Sequence, residues 1–154
     1  MKFFFFYIPI IVIWAGVYFI SRKKTIELSH IVIGITTIGY SAIYDLLLGV
    51  HMKLYYYISP DISPVYIAIA AAFIYPPLNM IYTMFLPEKK SSILIYTLTW
   101  TAFMLAFELV TVYFGTIVFR GWRVLPWSVV TYIVTYILIL LLFFYLDRKT
   151  GCRC

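Results

Sequence analysis

Charge is what this chain has least of. Charged residues make up 12 % of its 154 positions, of which only six are acidic, whereas an average soluble domain carries about 25 %. Histidine and cysteine are scarce too, at two each. The sequence has no HExxH, no GxSxG, no phosphate-binding glycine loop and no Cys/His cluster. These absences remove the familiar signatures of metal, nucleophilic and nucleotide chemistry, and no catalytic residue, metal or cofactor is expected. The two cysteines, Cys152 and Cys154, are one residue apart, a separation at which a disulfide is strained. Two thiols are also too few for a structural zinc site. They are expected to be inert thiols in a solvated tail.

What is abundant is apolar surface. Hydrophobic residues reach 64 % and aromatics 21 %. A soluble domain of this size leaves too many positions facing water to hide that much. A soluble enzyme, a nucleic-acid module and a disordered chain are therefore excluded. The net charge of +6 points to membrane orientation rather than nucleic acid, because the basic residues sit between apolar runs.

A membrane-crossing helix needs about 20 apolar residues. Five runs fit, at about 3–20, 29–50, 65–86, 93–114 and 128–146. Their length and continuity argue against a membrane barrel, whose segments alternate and run about 10 residues. Lipid also forces backbone hydrogen bonds to close within each segment, despite the many β-branched residues. The expectation is an all-α, polytopic five-span transmembrane helix bundle forming one domain over 1–154. The first run is read as a retained helix: Lys2 precedes it and Arg22, Lys23 and Lys24 follow it, the reverse of signal-peptide flanks. One set of connections and the tail hold Arg22, Lys23, Lys24, Lys89, Lys90, Arg148, Lys149 and Arg153. The other set holds Lys2, Lys53, Arg120 and Arg123. Eight against four puts the C-terminus in the cytoplasm and the N-terminus outside.

Two acids fall inside the runs, Asp45 and Glu108. A charge at mid-bilayer costs at least about 2.5–3.5 kcal/mol, so such residues usually face a bundle interior or a wet cavity. At 1.5 Å per residue each lies about 8–9 Å inside the outer boundary. Each also belongs to a small-and-polar stripe with steps of three and four, which keeps residues on one helix face. The first stripe is His30, Gly34, Thr37, Ser41, Asp45 and Gly49. The second is Thr97, Thr101, Met104, Glu108, Thr111 and Gly115. Two readings stand: the faces pack together, or they line a polar cavity open to the outside. Partners for the acids are available in His51, Tyr40, Tyr44, Arg120 and Arg123, with an arginine able to dip back to a carboxylate.

Pro76-Pro77 removes two backbone donors and frees the carbonyls of Ala72 and Phe73. A kink or break is expected, with Asn79 just beyond it. Ala68, Ala70, Ala71 and Ala72 permit close helix approach. Tyr55, Tyr56, Tyr57, Trp122 and Trp127 read as an interfacial aromatic belt. Pro60 and Pro64 read as keeping the outer loop non-helical, and Leu138 to Leu146 as lipid-facing.

From about His30 to Lys149 the chain resembles an uncharacterised family of small multi-span membrane proteins known mostly from spore-forming Gram-positive bacteria. The residues that carry the likeness are Asp45 with Gly49, Tyr55 to Tyr57, a proline-bearing helix, Glu108 with Gly115, then Trp122, Ser128 and Tyr132. The resemblance implies the topology, the importance of the two acids and a bacterial plasma membrane, and supplies no mechanism.

The expected function is non-enzymatic binding of a small solute, lipid or partner protein at an outward-facing polar pocket. The candidate residues are Asp45, Glu108, His51, Tyr44, Asn79, Arg120 and Trp122. The alternative is a proton- or cation-coupled transporter or channel using the same carboxylates. A third is a structural scaffold or accessory subunit. The expected partners are the lipid bilayer and a homo-oligomer or partner membrane subunit, with no nucleic acid.

Overall fold

The computed structural model describes residues 2–150, with residue 150 as backbone only. Cys152 and Cys154 therefore lie outside the described residues. The chain is mostly helical, with five segments long and apolar enough to cross a membrane: Lys2–Ser21, Leu28–His51, Ser63–Met84, Lys90–Tyr113 and Val124–Lys149. They match the five apolar runs within a few residues.

The elements are α1 (Lys2–Ser21), α2 (Leu28–Asp45), β1 (Tyr55–Tyr57), α3 (Ser63–Phe73), α4 (Tyr75–Met84), α5 (Lys90–Tyr113), β2 (Ile117–Phe119) and α6 (Val129–Thr150). Two π-helical turns interrupt the regular helices. One, Leu46–His51, continues α2. The other, Val124–Ser128, leads into α6 across an extended Leu125.

Three helix starts have a local cause. The Glu27 carboxylate caps the first turn of α2, and the Glu27 N–H donates to Nδ1 of His30 at 3.2 Å. That reciprocal pair satisfies two donors a helix start would otherwise orphan. Pro64 sits in the first turn of α3. A proline costs nothing there, since its missing N–H would have had no partner. The expectation that Pro64 keeps the chain non-helical is thus corrected. Pro76 and Pro77 play the same part in α4 and divide the third segment at Ile74. The Phe73 carbonyl that Pro77 cannot reach accepts a hydrogen bond from Nε1 of Trp14 at 3.0 Å. The break is stitched by α1.

The divided third segment is central. More than half of it is buried, against 11–28 % of the others. Ala70 and Ala71 are buried in α3, and α4 packs chiefly on α2. There a Cβ on Gly34 would stand 3.0 Å from Sδ of Met80, so the small residue sets the helix spacing. α6 packs on both α2 and α5. Its apolar end is not wholly outward, since Ile139 and Phe143 are buried while Leu138 and Leu141 are exposed. The reading of Leu138 to Leu146 as lipid-facing is corrected for those two buried residues, which lie four apart and so share one face.

Two connections meet in an antiparallel ribbon, with Tyr55 opposite Phe119, Tyr56 opposite Val118 and Tyr57 opposite Ile117. Lys53 and Ile58 flank β1 with left-handed backbone, φ 54° and 61°. These conformations turn the short strand sharply at both ends. The ribbon roofs one end of the bundle.

Candidate functional site

Side chains in a strand alternate between its two faces. Tyr55 and Tyr57 are buried while Tyr56 is half-buried. Ile117 and Phe119, their cross-strand partners, share the inward face and line the same cavity. Tyr56 faces the other way, where the Arg120 guanidinium lies 5.0 Å from its ring centre. The belt reading of Tyr55 to Tyr57 is therefore corrected: two of the three phenols point into the protein.

Beneath this roof lies a cavity of about 100 Å³ bounded by α2, α4, α5 and α6. Both stripes reach it. The α2 stripe is buried from His30 to Gly49, and Thr37, Ser41 and Asp45 line the cavity. The α5 stripe is buried at Thr101, Met104, Glu108 and Thr111, and Met104 and Glu108 line it. The two faces do not press on each other. α2 turns to α4 and α6, and α5 turns to α6, which leaves the space between them open.

Asp45 is the last residue before the first π turn. Its Oδ1 accepts from the Tyr55 hydroxyl at 2.6 Å and its Oδ2 from the Tyr57 hydroxyl at 3.4 Å. The Tyr57 hydroxyl is also 2.7 Å from that of Tyr75. With its single proton directed at Asp45, Tyr57 accepts from Tyr75. Burial pushes the phenols of Tyr55 and Tyr57 well above their ordinary range, and the Asp45 charge adds to it. They act as neutral donors, not phenolates.

Glu108 is held by a second chain. Nε1 of Trp122 donates to Oγ of Ser128 at 2.8 Å, and that hydroxyl donates to Oε1 of Glu108 at 2.7 Å. Ser128 is the last residue of the second π turn. Each carboxyl thus adjoins a π turn through itself or its donor, and such turns recur at functional sites. Oε2 of Glu108 is buried and makes no hydrogen bond, although the Tyr132 phenol lies near enough to interact with the carboxyl. The two carboxyls line the same cavity.

One side of the cavity is closed by a hydroxyl ladder between α2 and α6. Tyr40 bonds Thr135 at 3.1 Å and Tyr44 bonds Thr131 at 2.7 Å. Both pairs step by one turn, as antiparallel helices require. On another side Nδ2 of Asn79 donates to Oγ1 of Thr37 at 3.2 Å.

Of the sequence candidates, Asp45, Glu108, Tyr44, Asn79 and Trp122 line this one cavity. His51 and Arg120 do not, which corrects their expected place beside the acids. His51 ends the π turn exposed, and Arg120 falls on the outward face of the ribbon by strand parity. Tyr44 lines the cavity but hands its hydroxyl to Thr131. The carboxyls take their hydrogen bonds from tyrosine and serine, not from arginine. Sequence reasoning does not single out Tyr55, Tyr57, Tyr75, Ser128, Thr131, Tyr132, Thr135 and Tyr136 as site residues. The α6 members repeat at three and four, a third polar stripe that is legible among its valines and isoleucines.

The fold defines a class, a helical bundle with five segments long and apolar enough to cross a membrane and a two-carboxyl cavity under a β-ribbon. Compared with protein-family models, with curated proteins and with solved structures, the chain matches none.

Proposed function

We propose that the chain is an integral membrane protein that binds a small solute in the cavity around Asp45 and Glu108, without catalysing a reaction. Its five apolar helices cross the bilayer with the N-terminus outside and the C-terminus cytoplasmic. The apolar surface supports insertion: Ile43, Ile95, Ile11 and Phe4 are 65–71 % exposed, and soluble monomers rarely expose apolar patches beyond a few hundred Å². The excess of Lys and Arg in one set of connections supports the orientation, which turns the ribbon and the cavity outward. A bacterial plasma membrane is proposed from the resemblance of the sequence to the spore-former family. A bundle of five helices is small for a solitary carrier, so a second copy or a partner subunit completes the working assembly.

The observation that carries the binding reading is the meeting of two carboxyls, from two different helices, in one buried space. Intramembrane acids are costly and mark functional sites by default. One feature favours coupled transport as a second reading. Tyr75 and Asn79, which border the cavity, belong to the helix that begins at the proline break, and broken helices build sites in transporters.

The test is a double variant, Asp45→Asn with Glu108→Gln, purified in detergent and in proteoliposomes. Three-carbon probes (an ammonium, an alcohol and a carboxylate) are tested for thermal stabilisation. The expected result is that at least one stabilises the wild type and none the variant, which stays monodisperse. Stabilisation by no probe, or equal stabilisation of the variant, would overturn the binding reading. Failure of the variant to assemble would assign the acids to the fold. Unchanged proton or cation flux in the variant would sink the transport reading.

A further inference from the structure

The lining residues carry two carboxyls and no lysine, arginine or histidine. An anion would find no cation there. Asp45 is satisfied by phenols on both oxygens, whereas Oε2 of Glu108, in a residue 8 % exposed, makes no hydrogen bond and has the Tyr132 phenol beside it. A buried carboxylate oxygen without a donor is costly. With two acids and no basic side chain in the lining, a donor that also brings positive charge suits that oxygen best.

The walls select among cations. Tyr44, Tyr55, Tyr75, Tyr132 and Trp122 all border the space. Aromatic faces attract ammonium groups within about 6 Å of the ring centre, and more strongly when water is excluded. A hard metal cation needs six to eight oxygens or a tight cluster of acids. Among the described residues no group of three His, Cys, Asp or Glu side chains is placed to hold a metal. Size sets the last limit. A cavity of about 150 Å³ admits benzene, so one of about 100 Å³ takes about four heavy atoms.

We infer that the cavity binds a small organic ammonium ion, whose N–H donates to Oε2 of Glu108 and whose charge lies among the tyrosine and tryptophan rings. This rests on the solute-binding reading and gives that solute its class.

The experiment uses the full chain in detergent micelles and isothermal titration, with empty micelles as blank. The probes are n-propylammonium chloride, 1-propanol, sodium propionate and potassium chloride. Propylammonium is expected to saturate a single site at least about tenfold more tightly than propanol, with no binding of propionate or potassium. Glu108→Gln is expected to weaken propylammonium by about tenfold or more, and Tyr56→Phe, outside the cavity, to leave it unchanged. Equal binding of propanol, or preference for propionate, overturns the ammonium class while solute binding stands. Potassium competing as well as propylammonium also overturns it, in favour of an inorganic cation. Binding of no probe overturns both readings. If Glu108→Gln fails to fold, the wild-type series still decides, because the organic probes share a size and differ in charge.

Discussion

Replacing Tyr55 by phenylalanine removes one oxygen and keeps the ring. That oxygen is the nearer of two donors to Asp45, at 2.6 Å against 3.4 Å for Tyr57. Asp45 is 7 % exposed, so bulk water does not reach the place of the lost donor. A hydrogen bond to a charged group is worth about 1.5–3 kcal/mol, and leaving its acceptor unsatisfied incurs that loss in full. For a chain of this size each kcal/mol moves Tm by about 2–4 °C, so the expected fall is about 3–12 °C. The control is Tyr56→Phe, one residue away on the opposite face of the ribbon, where the ring over Arg120 is retained. It is expected to cost less than about 0.5 kcal/mol. The assay is thermal unfolding of both variants in one detergent, followed by loss of the monodisperse peak in size-exclusion chromatography. If Tyr55→Phe costs no more than Tyr56→Phe, the inward aim of Tyr55 is wrong, and the roof described above is wrong with it.

Two further predictions concern packing. Gly49→Ala would place a Cβ 3.2 Å from Cε2 of Tyr55 and 3.3 Å from Cδ1 of Ile67, and overpacking of this kind is expected to destabilise by about 1–3 kcal/mol. Gly39→Ala meets nothing within 4 Å and should be neutral or stabilising by up to about 1 kcal/mol; the same thermal assay reads both, and equal effects would contradict the tight seat of Gly49. Trp14→Phe keeps an aromatic ring but removes the donor to the Phe73 carbonyl. It should lower stability by about 0.5–1.5 kcal/mol, and the loss should vanish when the donor is made irrelevant by first replacing Pro77 with alanine, whose N–H can reach that carbonyl.

Helix faces are legible in the sequence because a period near 3.6 is written in consecutive spacing. His30, Gly34, Thr37, Ser41, Asp45 and Gly49 group on one face by spacing alone, and all six are buried. The proline break is placed for the same reason, from chemistry local to Pro76-Pro77. The ribbon is not. Three tyrosines in a row are too short to display a period of two, and their register depends on Ile117 to Phe119 in another connection. Without that register nothing separates an inward Tyr55 from an outward Tyr56, or sends Arg120 away from the acids. The partner of the Phe73 carbonyl is hidden in the same way. Pro77 tells that a donor is wanted, and only tertiary contact names Trp14.

The Asp45–Tyr55 bond joins residues ten apart, whereas the ribbon that roofs the cavity joins two connections with two membrane-length segments between them. During synthesis the first can form as soon as the second segment is in place. The second must wait until the chain has been made as far as Phe119. Non-local pairings of this kind form late. A protein caught between those two moments would hold one carboxyl already tied and the other without its Ser128 donor, with the roof strand unpaired along one edge. The finished ribbon is therefore also a record of completion. Once Tyr55 to Tyr57 are paired, the second and fourth segments have both been delivered, and the loops on either side can no longer lift independently.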